Sequence, residues 1–112
     1  MYQKAEELAA EIHSLTAGYP KSEVYGASAQ SRSAALSIIS NIAEGYRRCS
    51  RREFIRFLKI AYGSCGELDA QISFAARAGW ISKAESERIT ASIDTVSRWL
   101  WRLMESLSRP QK

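Results

Sequence analysis

Few residues in this chain combine a reactive type with a useful spacing. His13 is the only histidine, and the two cysteines, Cys49 and Cys65, stand far apart in the sequence. There is no Cys-x-x-Cys or His-x-x-x-His spacing and no Glu-x-x-His pair, so neither a metal site nor a di-metal centre is expected. Gly63 and Gly66 fall inside a helical pattern and do not form a phosphate loop. Serines and aspartates occur without a nucleophile motif. Glu67 and Asp69, two residues apart on one helix, face different directions and do not make a paired carboxylate site. An enzyme is not expected, and neither is a cofactor.

What remains is cationic. Arg47, Arg48, Arg51, Arg52, Arg56 and Lys59 stand within a short stretch in which only Glu53 opposes them. Arg52, Arg56 and Lys59 share one helical face, and Arg47, Arg48 and Arg51 crowd the turn beside it. Two readings fit: a solvated helix start, or contact with phosphates. No base-reading motif or stacking aromatic is evident in the sequence. Nucleic acid, RNA or DNA, would therefore be held by its backbone without much sequence preference. Asn41 and Glu44, one turn apart beside an apolar face, are expected as a structural polar pair satisfied by hydroxyls such as Tyr62 or Ser40, or else as ligand contacts.

These residues must be positioned by helices. Ala5, Leu8, Ile12 and Leu15 recur at 3/4 spacing, as do Ala35, Ile38 and Ile42 with Ala34 and Ile39 alongside. Phe54, Leu58, Ala61, Cys65, Leu68, Ile72 and Ala75 hold the alternation over three heptads, and Ile89, Ile93, Val96, Leu100, Leu103 and Leu107 form a fourth stripe. Two capping boxes, Ser50–Glu53 and Ser82–Glu85, mark helix starts. Gly18-Tyr19-Pro20, Gly45 and Gly79 mark ends, Gly45 by taking a left-handed conformation. The pattern predicts helices over about 2–17, 27–46, 51–78 and 83–108. The fold class is all-α, an antiparallel up-down-up-down four-helix bundle forming one domain over 1–112.

The 112 residues and 46% hydrophobic content suit one globular domain with a modest core, and the net charge is a mild +4. No apolar run reaches the ~20 residues that cross a bilayer, and the N-terminus has no signal-peptide pattern, so a cytoplasmic protein with free thiols is expected.

Two surfaces exceed the needs of a core. On the last helix the apolar arc spreads to Trp99 on one side and to Met104 and Trp101 on the other. On the third helix Gly63, Gly66, Ala70 and Ser73 continue the face that begins with Arg52, Arg56 and Lys59. Glycine in a helix costs about 1 kcal/mol against alanine, so close packing against a neighbouring helix, internal or across a subunit seam, is expected there, the alternative being a bend in the helix. Gly63, Gly66, Ala70, Trp99 and Trp101 are the candidate oligomer interface.

Tyr25-Gly26, the S-N-I-A-E-G-Y run at Ser40–Tyr46 and the E-F-I-R-F-L-K-I-A run at Glu53–Ala61 resemble the four-helix-bundle family of 23S rRNA intervening-sequence proteins, also labelled S23. The resemblance covers most of the chain and is strongest from Ser31 to Ile72. It implies a bundle that assembles as a homopentamer around a central channel, with no established catalytic residue. It also implies kinship with the accessory proteins of diversity-generating retroelements, which associate with a reverse transcriptase and nucleic acid. The chain departs from the family pattern at Ile39, where a proline is common, and at Ser31 and Ser33, which flank Arg32 where a more basic pair is usual. The expected function is a non-enzymatic, oligomeric bundle with a candidate nucleic-acid surface. The alternative is a structural or protein–protein interaction module whose basic patch is incidental.

Overall fold

The computed structural model describes residues 2–110. Four helices, α1 (Gln3–Thr16), α2 (Ala27–Arg47), α3 (Arg51–Arg77) and α4 (Lys83–Ser108), account for most of them, with a single 3-10 turn at Lys21–Glu23. Each helix packs on its neighbours in sequence, and α1 closes the square against α4. Side-chain contacts run antiparallel along the seams. Between α2 and α3, Ser31 donates to Gln71 (2.9 Å), Ser64 donates to Ser37 (3.0 Å), and Gly45 meets Phe57. Between α1 and α4, Arg88 pairs with Glu11 at 2.7 Å. The result is the expected up-down-up-down bundle, 53 × 24 × 19 Å.

The core follows the predicted stripes. Ala5, Leu8, Ile12 and Leu15 on α1, Ala34, Ala35, Ile38 and Ile42 on α2, and Leu58, Ala61, Cys65, Leu68, Ile72 and Ala75 on α3 are all buried. Removing this apolar area from water is the main favourable term, at about 25 cal/mol per Å2. The stripe on α4 ends differently from expectation. Met104 is buried, while Leu103 and Leu107 are only partly so. The unbranched thioether reaches the core from a position that a strict stripe assigns to the flank.

The helix boundaries show which local signals acted. At α4 both halves of the capping box form: Glu85 N–H donates to Ser82 Oγ (3.0 Å), and Ser82 N–H donates to Glu85 Oε1 (2.9 Å). The Ser82 backbone N–H, and after it the Ser82 hydroxyl, hold the Glu85 carboxyl below its ordinary pKa. At α3 only half the box forms. Ser50 accepts from the Glu53 amide (3.3 Å), but the Glu53 carboxylate turns to Arg56 at 3.3 Å. Gly45 does not close α2. It lies inside the helix, and the left-handed residue in the turn is Cys49, at φ 54. A Cβ on Gly45 would lie 2.7 Å from Phe57 Cβ and 3.0 Å from Phe54 Cδ1, so this glycine lets α3 approach α2. Gly79, at φ 81, does end α3 in the left-handed region.

Candidate nucleic-acid interface

The α2–α3 corner is built on Phe57. Gly45 lets Phe57 Cβ and the Phe54 ring approach α2, and two guanidinium groups rest on the Phe57 ring, Arg56 at 4.8 Å and Arg48 at 5.1 Å from the ring centre. Each has a carboxylate of its own on the same helix: Glu53 for Arg56 (3.3 Å) and Glu44 for Arg48 (3.1 Å). Exposed pairs of this kind contribute about 0–1 kcal/mol, and an exposed cation on an aromatic ring a similar amount. Their effect here is positional, since one ring gathers the C-terminal cation of α2 and the N-terminal cation of α3. Arg47, Arg51, Arg52 and Lys59 are exposed around them and carry no ion pair among the described residues. The C-terminal end of α4 reaches the same corner, where Arg51 Nη1 donates to the Arg109 carbonyl at 3.5 Å. Arg109 thereby lines one cleft with Arg51, Arg52, Arg56 and Lys59.

The six predicted cations are therefore brought together, and Arg109 is a seventh that sequence reasoning missed. Nothing local marks Arg109. Only the closing of the bundle places the end of α4 beside the start of α3. Phe57 was missed in the same way, because its partners lie on two helices.

Asn41 and Glu44 do not form the expected polar pair. The half-buried Asn41 donates to the Ser37 carbonyl (2.8 Å) and to Ser37 Oγ (3.0 Å), while Glu44 is exposed and turned to Arg48. Neither Tyr62 nor Ser40 is their partner. Ser37 instead links Asn41 to Ser64 across the α2–α3 seam.

The candidate interface residues also separate. Gly63, Gly66 and Ala70 are exposed on the outside of α3, and a Cβ on either glycine would meet nothing within 4 Å. Within its own bundle no helix packs closely on this ridge, so a close contact there would have to come from a second copy of the chain. Trp99 is half-buried and packs on the core. Trp101 is 53% exposed and stacks on Tyr62, 38% exposed, with ring centres 5.7 Å apart. Trp101 thus lies on the surface of its own bundle, in a pair with Tyr62 that the sequence does not mark.

His13 is exposed, with its backbone carbonyl accepting from Arg32 (3.2 Å). Burial pushes the Cys65 thiol up to about 11, and Cys49 is exposed. Tyr19 is the one buried side chain among the described residues whose hydroxyl lacks a hydrogen-bond partner. Its ring stacks on Trp80 at 5.1 Å, at the end of the bundle remote from the basic corner.

Comparison with known proteins agrees with this architecture. A crystal structure of a protein of unknown function from the S23 ribosomal protein family of Bacteroides thetaiotaomicron VPI-5482 superposes with a TM-score of 0.84 at 24% identity. The match covers 91% of this chain and 95% of that one, and at this identity it speaks for the fold alone. No curated protein matches the chain. The sequence model for the 23S rRNA-intervening sequence protein matches residues 1–102, nearly the whole length, and the chain belongs to that family.

Proposed function

We propose that this chain is a non-catalytic binding module that assembles with copies of itself and holds the phosphate backbone of nucleic acid at its α2–α3 corner. The observation that carries the reading is the convergence of seven cations from three helices on one end of the bundle, Arg47, Arg48, Arg51, Arg52, Arg56, Lys59 and Arg109. Cations so crowded repel one another, and the arrangement is relieved when phosphates replace their counterions. Guanidinium groups dominate, and their planar fork suits phosphate oxygens. The kinship with accessory proteins of diversity-generating retroelements that the family resemblance implies would point to the same partner class, and the homopentamer implied by the same resemblance would repeat the patch and strengthen binding through multivalency.

A salt titration of RNA and DNA binding tests this. If six cations contact phosphates, affinity falls roughly a thousandfold between about 50 and about 200 mM salt. Arg52→Glu combined with Arg56→Glu weakens binding to all sequences alike and flattens the salt slope. Absence of binding to either polymer at low salt defeats the proposal and leaves the protein-interaction reading, in which the patch is incidental.

A further inference from the structure

The basic corner does not end at Arg109. It opens into a groove between α3 and α4. Lys59 and Arg109 line its next section with Ile55, Trp101 and Met104. Trp101 lines the section after that with Tyr62, Arg98 and Arg102. Lys59 and Trp101 each border two adjoining clefts, so cations and aromatic rings form one continuous strip. Its length from Arg52 to Tyr62 is about 15 Å at 1.5 Å rise per residue, room for a short run of an extended strand.

The chemistry of the strip differs from that of the corner. At the corner Phe57 is half-buried and covered by Arg48 and Arg56, and the exposed Tyr46 packs edge-on against Phe54 at 6.0 Å with no second helix's cations lining a groove beside it among the described residues. In the groove, more than half of the Trp101 surface is open. Tyr62 supports the indole from one side at 5.7 Å, fixing its direction without enclosing it. Arg102 lies beside the pair with no ion pair among the described residues, and Arg98 is held by Asp94 at 2.9 Å. Glu105 is the acidic residue that borders the same section as Lys59 and Arg109. A flat apolar surface between cations spaced along one line is the arrangement on which an unpaired base stacks while its phosphates are neutralised. A duplex keeps its base faces inside its own stack and cannot use such a surface.

We infer that the α3–α4 groove takes single-stranded nucleic acid, with a base stacked on Trp101 and the adjoining phosphates on Lys59, Arg102 and Arg109. This rests on the proposed phosphate contact at the corner and adds to it a preference for unpaired strands.

The test uses the full chain, a fluorescein-labelled RNA strand of about ten nucleotides and the blunt duplex of the same sequence, with anisotropy as the readout. The strand is expected to bind more tightly than the duplex. Trp101→Ala is expected to weaken strand binding roughly five- to a hundredfold, leaving the duplex affinity and the salt slope unchanged, and Trp101→Phe to restore most of the loss. Equal binding of strand and duplex with a neutral Trp101→Ala overturns the inference while the corner reading stands. Loss of both on Arg52→Glu with Arg56→Glu, but none on Trp101→Ala, likewise overturns the inference and spares the corner. No binding of either polymer overturns both. A change of mass by light scattering in Trp101→Ala also overturns the inference, because the indole would then be covered by a second copy of the chain.

Discussion

Gly45, Gly63 and Gly66 are one residue type in three helical settings, and the space around each decides what an added methyl group does. At Gly45 the new carbon would stand 2.7 Å from Phe57 Cβ, an atom tied to the α3 backbone and unable to swing away. Gly45→Ala should therefore push α3 from α2 and cost about 1–3 kcal/mol, read as a lower urea midpoint. It should also loosen the seat of the two guanidiniums on Phe57. At Gly63 and Gly66 a Cβ meets nothing within 4 Å of its own bundle. There the helix gains the full difference in propensity, and each Gly→Ala change should stabilise the protomer by about 1 kcal/mol. Equal effects at all three positions would contradict the packing described. From sequence alone Gly45 reads as a helix end and spacing points to close contact at Gly63 and Gly66, whereas within the bundle the close contact is at Gly45. Packing against another helix depends on which face the bundle turns inward, and a glycine carries no side chain to reveal that.

Among the elements, α3 and α4 begin with the same Ser-x-x-Glu signal and use it differently. In α4 both bonds form, so Ser82→Ala should cost about 1 kcal/mol and fray the first turn. The Glu85 carboxyl, held below its ordinary pKa by the Ser82 bonds, adds a pH dependence. Its contribution is fully present above the ordinary carboxylate value and is lost as pH falls through the lowered one. In α3 the Glu53 carboxylate faces Arg56 and only the Ser50 half of the box forms, so Ser50→Ala should cost less. Thermal unfolding of the two variants at neutral pH checks the difference in cost, and equal losses would refute it. The helices themselves were legible because 3/4 stripes of buried side chains recur over three or four turns, and no competing strand pattern interrupts them. The ends were less so. Cys49 rather than Gly45 adopts the left-handed turn, since the next helix, not the local propensity, fixes where α2 must stop.

For the whole molecule, the cations concentrate at the end where α2 finishes, α3 starts and α4 finishes. The six within Arg47–Lys59 could be read in sequence because they are neighbours along the chain. Arg109 and the Tyr62–Trp101 pair could not, because antiparallel closure of α4 on α3 brings them there. The outer face of α3 poses the remaining question of surface. Ile60, Gly63, Ala70 and Phe74 follow one another at helical spacing, all exposed, with Ile60 at 44% and Phe74 at 59%. Two glycines that weaken their own helix and touch nothing within it, flanked by open apolar side chains, fit a seam between copies, where absent side chains permit close approach of a second backbone. The two scales then oppose each other in a way that can be measured. Gly63→Ala and Gly66→Ala should stiffen the protomer, whereas Gly63→Leu with Gly66→Leu should lower the mass seen by light scattering while far-UV circular dichroism keeps its helical signal. If the double leucine variant retains the parent mass, the ridge is not the seam. A parent chain that is monomeric at micromolar concentration would remove self-assembly from the proposal and leave the basic corner to bind its phosphates as a single copy.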